Sequence, residues 1–167
     1  NNGFVSVPDS AAFSLGKKDF TIEMMIRFDS FKNAYPMGHN EGSGNKKKWT
    51  IEFWNKKLRF HINSPAGGKW WFNYQPAVVL KQWMHLAFVR AGSKMRLFIN
   101  GQLVDTVNFT SVMPDPSAPL QIGTSEGTLS KHHGGIAEVR ISSVARYANT
   151  FVPQTIAKSD ANTVALW

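Results

Sequence analysis

The 167-residue chain contains no cysteine. That absence excludes a disulfide framework, a thiolate metal site, an iron–sulfur cluster and a cysteine nucleophile. No apolar run approaches the ~20 residues of a helical membrane span, and no signal-peptide pattern is read at the start. The first residue is Asn1 rather than Met, as expected of an excised domain or a mature product. Charged residues are few, 18% against 43% hydrophobic, a balance that argues against wholesale disorder. A chain of this length buries roughly 70% of its unfolded surface, enough for a core without crosslinks. The length suits one domain over residues 1–167.

Acidic residues are the scarcer charge, 11 against 19 Lys and Arg, for a net +8. Such an excess points to anionic partners: nucleic acid, acidic glycans or phosphate-bearing surfaces. Its distribution argues for restraint. Lys46–Lys48, Lys17–Lys18 and Lys56–Lys57 all sit beside Gly, Asn or Asp, where turns belong. Solvated turn lysines that keep the chain soluble account for them equally well. A nucleic-acid binder is disfavoured, because the lysines lie in separate turns and no single-strand-binding motif accompanies them.

A helix of ten residues is not readable anywhere; Ser142–Tyr147 could form one turn. Strands are. Phe20, Ile22, Met24, Ile26 and Phe28 alternate with Thr21, Glu23, Met25 and Arg27, a period of two. Trp49, Ile51 and Phe53 share one face, which Leu58, Phe60 and Ile62 continue after an Asn55–Lys56 turn. Pairing about that turn sets Phe53 against Leu58, Glu52 against Arg59 and Thr50 against His61. Met84–Arg90 and Met95–Asn100 are apolar on both parities, and Asn100–Gly101 is a hairpin signal before Gln102–Val107. Phe4–Val7, Leu120–Ile122, Ile136–Ile141 and Val164–Trp167 complete the set. Short strands with Gly and Pro between them predict an all-β, antiparallel two-sheet β-sandwich.

The runs Lys18–Phe28 (KDFTIEMMIRF), Trp83–Arg90 (WMHLAFVR), Met95–Gly101 (MRLFING), Leu120–Gly123 (LQIG) and Gly135–Tyr147 (GIAEVRISSVARY) are familiar in that order. Together they resemble the laminin-G/pentraxin group of concanavalin A-like jelly rolls, particularly its microbial and phage branch. The resemblance covers roughly residues 4–167. It implies two antiparallel sheets of six or seven strands, with function at the concave face or rim loops. It also implies that Trp83 opens a buried strand, and that the terminal strands Phe4–Val7 and Val164–Trp167 lie side by side. Gly123 and Gly135 are expected to permit close approach or positive φ. Trp83, Leu97, Ile99, Val139 and Ile141 should be buried, while Glu138 and Arg140 face water.

Glucanases related to this fold carry Glu-x-Asp-x-x-Glu on one strand, and that cluster is missing here. Glu23, Glu52 and Glu138 are the glutamates placed on strands, and none has a correctly spaced local partner. No nucleophile elbow, phosphate loop or dinucleotide fingerprint appears, so an enzyme is not expected. His132 and His133 are adjacent and on a strand would point to opposite faces. Relatives implied by the resemblance bind calcium at a rim, so calcium stays open as a cofactor, with no ligands assigned. Asn108–Phe109–Thr110 matches the glycosylation sequon.

Aromatic residues are the strongest functional cue. Trp70, Trp71, Phe72 and Tyr74 crowd five positions, and in a plain strand one parity would be exposed. Trp70, Trp71 and Tyr74 are therefore one candidate stacking platform for a sugar ring, or else they cap an open edge. The hairpin's polar face offers a second: Trp54, Arg59 and His61 beside Thr50, Glu52 and Asn63, with Arg96 and Phe98 extending it. A solvated sheet face with a Glu52–Arg59 pair is the alternative. Two functions follow. One is a non-catalytic carbohydrate-binding or adhesion module of an extracellular, cell-surface or virion protein, with acidic polysaccharides among its expected glycans. The other is a structural protein–protein module, such as a tail-fibre or coat component.

Overall fold

The computed structural model describes residues 3–125, 130–154 and 157–167. Its strands are β1 (Val5–Val7), β2 (Phe20–Phe28), β3 (Ala34–Asn40), β4 (Lys48–Trp54), β5 (Lys57–Ser64) and β6 (Gly67–Tyr74). They continue with β7 (Trp83–Ala91), β8 (Lys94–Ile99), β9 (Gln102–Asn108), β10 (Leu120–Ile122), β11 (Gly134–Ser142) and β12 (Thr163–Leu166). Two antiparallel six-stranded sheets result, ordered β1-β10-β3-β4-β5-β6 and β12-β11-β2-β7-β8-β9. This is the expected concanavalin A-like sandwich. A single 3-10 turn, Ala11–Phe13, is the helical element among the described residues.

Period-two patterning builds the core. Phe20, Ile22, Met24, Ile26 and Phe28 of β2 all turn inward and are buried. They meet Trp49, Ile51, Phe53, Leu58 and Phe60 from the facing sheet, with Phe28 and Phe53 ring centroids 4.4 Å apart. The β4–β5 register is the expected one, Phe53 with Leu58, Glu52 with Arg59 and Thr50 with His61. Asn55 and Lys56 both take positive φ (51° and 61°), the backbone a two-residue hairpin turn needs. Asn100 and Gly101 repeat the device at 48° and 76°.

β3 is not legible in the sequence because Pro36 and Gly38 interrupt its alternation. Pro36 falls inside a register shift between Ala34 and Met37, where a missing N–H is tolerated. Gly38 is required there, since a Cβ would collide with the Ser125 side chain.

Several expectations need correction. The terminal strands do not pair: β1 bonds to β10 in one sheet and β12 to β11 in the other. Both lie at the margin opposite the one where β6 meets β9. Leu97, Val139 and Ile141 are buried, but Trp83 is 46% exposed. Its strand parity points outward, and the ring lies across Gly135, where a Cβ would approach within 2.6 Å of it. Ile99, at a strand end, is half-buried. Arg140 does face outward yet is buried, because Tyr147 and Lys158 close over it from the segments that follow β11. Glu138 is half-buried and takes positive φ (52°) at a bulge in β11. Tyr147 and Phe151 also pack on Phe98, so Phe98 is core. Arg96 and Phe98 lie in the second sheet and cannot extend the β4–β5 face. Ser142–Tyr147 forms no helical turn.

Candidate functional site

The outward parity of β4 and β5 is polar. Thr50, Glu52 and Trp54 stand beside Arg59, His61 and Asn63, while their neighbours fill the core. A groove of about 330 Å³ opens over them, lined also by Tyr35, Asn40, Lys48 and Trp70. β3, β4, β5 and β6 thus each contribute to one surface.

Glu52 is the hub of this face and is only 5% exposed. Its Oε1 accepts from Thr50 Oγ1 at 3.0 Å and lies 3.3 Å from His61 Nδ1. Its Oε2 accepts from Trp70 Nε1 at 3.2 Å. The His61 and Trp70 rings stack with centroids 4.4 Å apart. A buried carboxylate is expensive unless it is hydrogen-bonded, and here Thr50 and Trp70 donate to it with the His61 ring alongside. Glu52 and Arg59 do sit opposite each other, but the ion pair of the solvated-face alternative does not form. Arg59 Nε donates instead to Asn73 Oδ1 at 3.3 Å. At the other end, Asn63 Nδ2 donates to the Gly44 and Lys46 carbonyls and fixes the lysine-rich loop beside the groove.

The two sequence-derived platforms partly merge. Trp70, Trp54, Arg59 and His61 share the groove. Trp71 and Tyr74 do not join them. Trp71 pairs with Phe60 on the core side, is 7% exposed and meets the Phe109 ring at 4.8 Å. Tyr74, opposite Leu58, is half-buried against the core. Tyr35, Asn40 and Lys48 were missed because β3 has no readable alternation and Lys48 belongs to a run read as a turn.

The strand glutamates are held apart. Glu52 lies on the outer face of one sheet and Glu23 on the outer face of the other. Glu138 accepts from the Ala157 N–H at 3.0 Å. Glu23 is pinned by His85 Nε2 (2.9 Å), Arg140 Nε (2.8 Å) and Tyr147 Oη (2.8 Å). Burial pushes its carboxyl up, but those three partners outweigh it and hold the group below its ordinary value. Burial and the Glu23 charge push the Tyr147 hydroxyl up to about 12. This network ties Tyr147 and, through Arg140, the Lys158 carbonyl to the sheet. Burial likewise pushes His39 and His132 below the usual imidazole range. His132 Nε2 lies 2.8 Å from the Arg27 carbonyl. Among the described residues no three His, Asp or Glu side chains gather to hold a metal ion, so no side-chain donor set for calcium is found there.

A Bacteroides ovatus protein, a candidate carbohydrate binder, superposes with TM-score 0.72 at 21% identity over 98% of this chain and 48% of its own. Domain 4 of the extracellular arabinanase AbnA from Geobacillus stearothermophilus, solved with arabinotriose, gives 0.68 at 15% identity over 87% and 69%. Mouse laminin α1 domains LG4-5 give 0.63 at 18% over 95% and 45%. The chain thus spans about half the length of the first and third, and at these identities the likeness is one of fold. No curated protein sequence matches it. The sequence profile of one family matches residues 1–150, and on that evidence the chain belongs to the Laminin_G_3 family of the concanavalin A-like lectin/glucanases superfamily.

Proposed function

We propose that this chain is a non-catalytic carbohydrate-binding module that takes its glycan on the outer face of β3–β6. The observation that carries this reading is the Trp70 ring, 55% exposed yet held in place by the His61 stack and the Glu52 hydrogen bond. A pre-oriented apolar ring beside Thr, Asn, Lys and Arg side chains offers a sugar both a stacking face and hydrogen-bond partners. The fold likeness to a domain solved with arabinotriose supports it. Trp54, Arg59 and His61 complete the site. The net charge of +8 favours acidic glycans, and glycan capture suits an extracellular, cell-surface or virion setting.

A glycan array probed at two salt concentrations tests the reading. Binding should be present on a defined set of sugars and lost with Trp70→Ala; an array blank at both salts would end it. A structural protein-interaction module is the second reading. It is favoured by a groove of about 460 Å³ lined by Phe4, Val5, Ile122 and Ile136, with Phe4 and Val5 41% and 47% exposed.

A further inference from the structure

The polar face does not end at Trp70. A second groove of about 420 Å³, lined by Arg59, Trp70, Phe72 and Asn73, adjoins the first and shares Arg59 and Trp70 with it. A local irregularity builds it. The β5–β6 ladder slips register between Leu58 and Phe60, and Phe72 opposite the slip has φ 63°. Positive φ is costly for a bulky aromatic residue, and bulges of this kind re-aim side chains. Here Trp71 and Phe72 both turn inward, at 7% and 6% exposure, and Asn73 turns outward. In an unbroken period-two alternation Asn73 would share the inward parity of Trp71; the bulge turns it outward instead. Backbone strain and a buried aromatic are thus invested in placing one exposed amide, whose described partner is Arg59.

Arg59 is positioned but not neutralised. Glu52, directly across the β4–β5 ladder, is engaged by Thr50, His61 and Trp70. No carboxylate among the described residues pairs with the guanidinium, and Asn73 occupies only its Nε. The two terminal amino groups remain as a planar fork, the geometry that binds a carboxylate through two parallel hydrogen bonds.

We infer that the two grooves are adjacent subsites for an internal stretch of a linear, uronic acid-containing polysaccharide, with Trp70 at their junction and Arg59, oriented by Asn73, reading a sugar carboxylate. This deepens the carbohydrate-binding reading above and rests on it. A site for one terminal sugar would need one groove; a chain crossing Trp70 uses both. Arg59 is the binding residue and Asn73 a positioning residue.

Calorimetric titration with α-1,4-oligogalacturonides of one to six residues, and with their methyl esters, tests this at 0.15 M salt. Affinity should rise at least about tenfold from one residue to four and then level off, since the second subsite fills only with a longer chain. Methyl esterification, which removes charge and leaves the ring, should cost about tenfold. Arg59→Ala should abolish the difference between acid and ester, and Arg59→Lys should restore little of it. Asn73→Ala should weaken the tetramer about fivefold without shifting the melting temperature. Equal affinity for monomer and tetramer, equal affinity for acid and ester, or no binding of any oligogalacturonide overturns the inference. If a glycan array still shows Trp70-dependent binding of neutral sugars, the carbohydrate-binding reading survives that failure. A blank array removes both.

Discussion

The imidazole of His61 lies flat on the indole of Trp70, the rings 7° from parallel with centroids 4.4 Å apart. Both side chains also reach Glu52, His61 through Nδ1 and Trp70 through Nε1. One indole face is therefore covered, and the ring is fixed in orientation while more than half its surface stays in solvent. Holding an aromatic ring still before a ligand arrives lowers the ordering cost of binding.

The two adjacent tryptophans should separate cleanly on substitution. Trp71→Ala removes a core ring and should cost about 3–5 kcal/mol in a urea titration. Trp70→Ala should cost under ~1 kcal/mol, because its ring is largely exposed, but should eliminate glycan binding. Equal stability losses for the two variants would contradict the inward and outward assignment.

Gly68→Ala should damage the site with little effect on the core. A Cβ there would collide with Asn63 Oδ1 and come within 3.2 Å of His61 Nε2. Asn63 would be pushed from its bonds to Gly44 and Lys46, and His61 from Trp70. Near-ultraviolet circular dichroism should lose part of its tryptophan signal, and glycan affinity should fall severalfold. A crystal structure of the variant with the His61–Trp70 stack intact would refute this.

On the opposite sheet, Arg140→Ala leaves Glu23 buried with fewer donors. Removing one partner of a buried pair costs about 3–5 kcal/mol, since the other charge stays unpaired. The double variant Glu23→Gln/Arg140→Ala should recover part of the loss, as a neutral amide is cheaper to bury than an unpaired carboxylate. Glycan binding should be unaffected in both once the protein is folded. A loss below ~1 kcal/mol for Arg140→Ala would show the network to be dispensable.

Stability should decline in acid in two stages. His39 and His132 titrate lower in the folded chain than their ordinary 6.5, so the unfolded chain binds more protons once the pH falls below that value. Their contribution is intact above pH 6.5 and is lost as the pH falls through the folded values. Glu23, held below 4.5, adds stability that is complete above pH 4.5 and disappears as the pH falls through its folded value. Tyr147 acts in the opposite direction, its contribution being lost as the pH rises from 10.0 toward about 12. Urea midpoints at pH 8, 6, 5, 4 and 3 test the acid side; no decline between pH 8 and 5 would exclude the histidine stage. His39→Gln should flatten that first stage.

Local sequence settles what neighbouring residues decide among themselves. The β4–β5 hairpin is the clearest case. Alternation over Trp49–Phe53 and Leu58–Ile62, with Asn55 and Lys56 at a two-residue turn, admits one register that keeps apolar side chains on one face. That register already put Thr50, Glu52, Arg59 and His61 together. The order of the strand motifs was equally readable, and with it the fold. Only tertiary structure decided the remainder. Trp70 and Trp71 are alike in composition and position, and their fates are set by pairing with β5 and by the bulge at Phe72. Tyr35 and Asn40 reach the groove on a strand whose Pro36 sits in a register shift against β4 and whose Gly38 leaves room for the Ser125 side chain. Arg140 has an outward parity and is buried because a distant segment folds over it. The terminal strands sit in opposite sheets because closure of the sandwich, not local propensity, assigns edges. Parity and turns are short-range consequences of backbone geometry; burial on an outer face depends on what the rest of the chain lays across it.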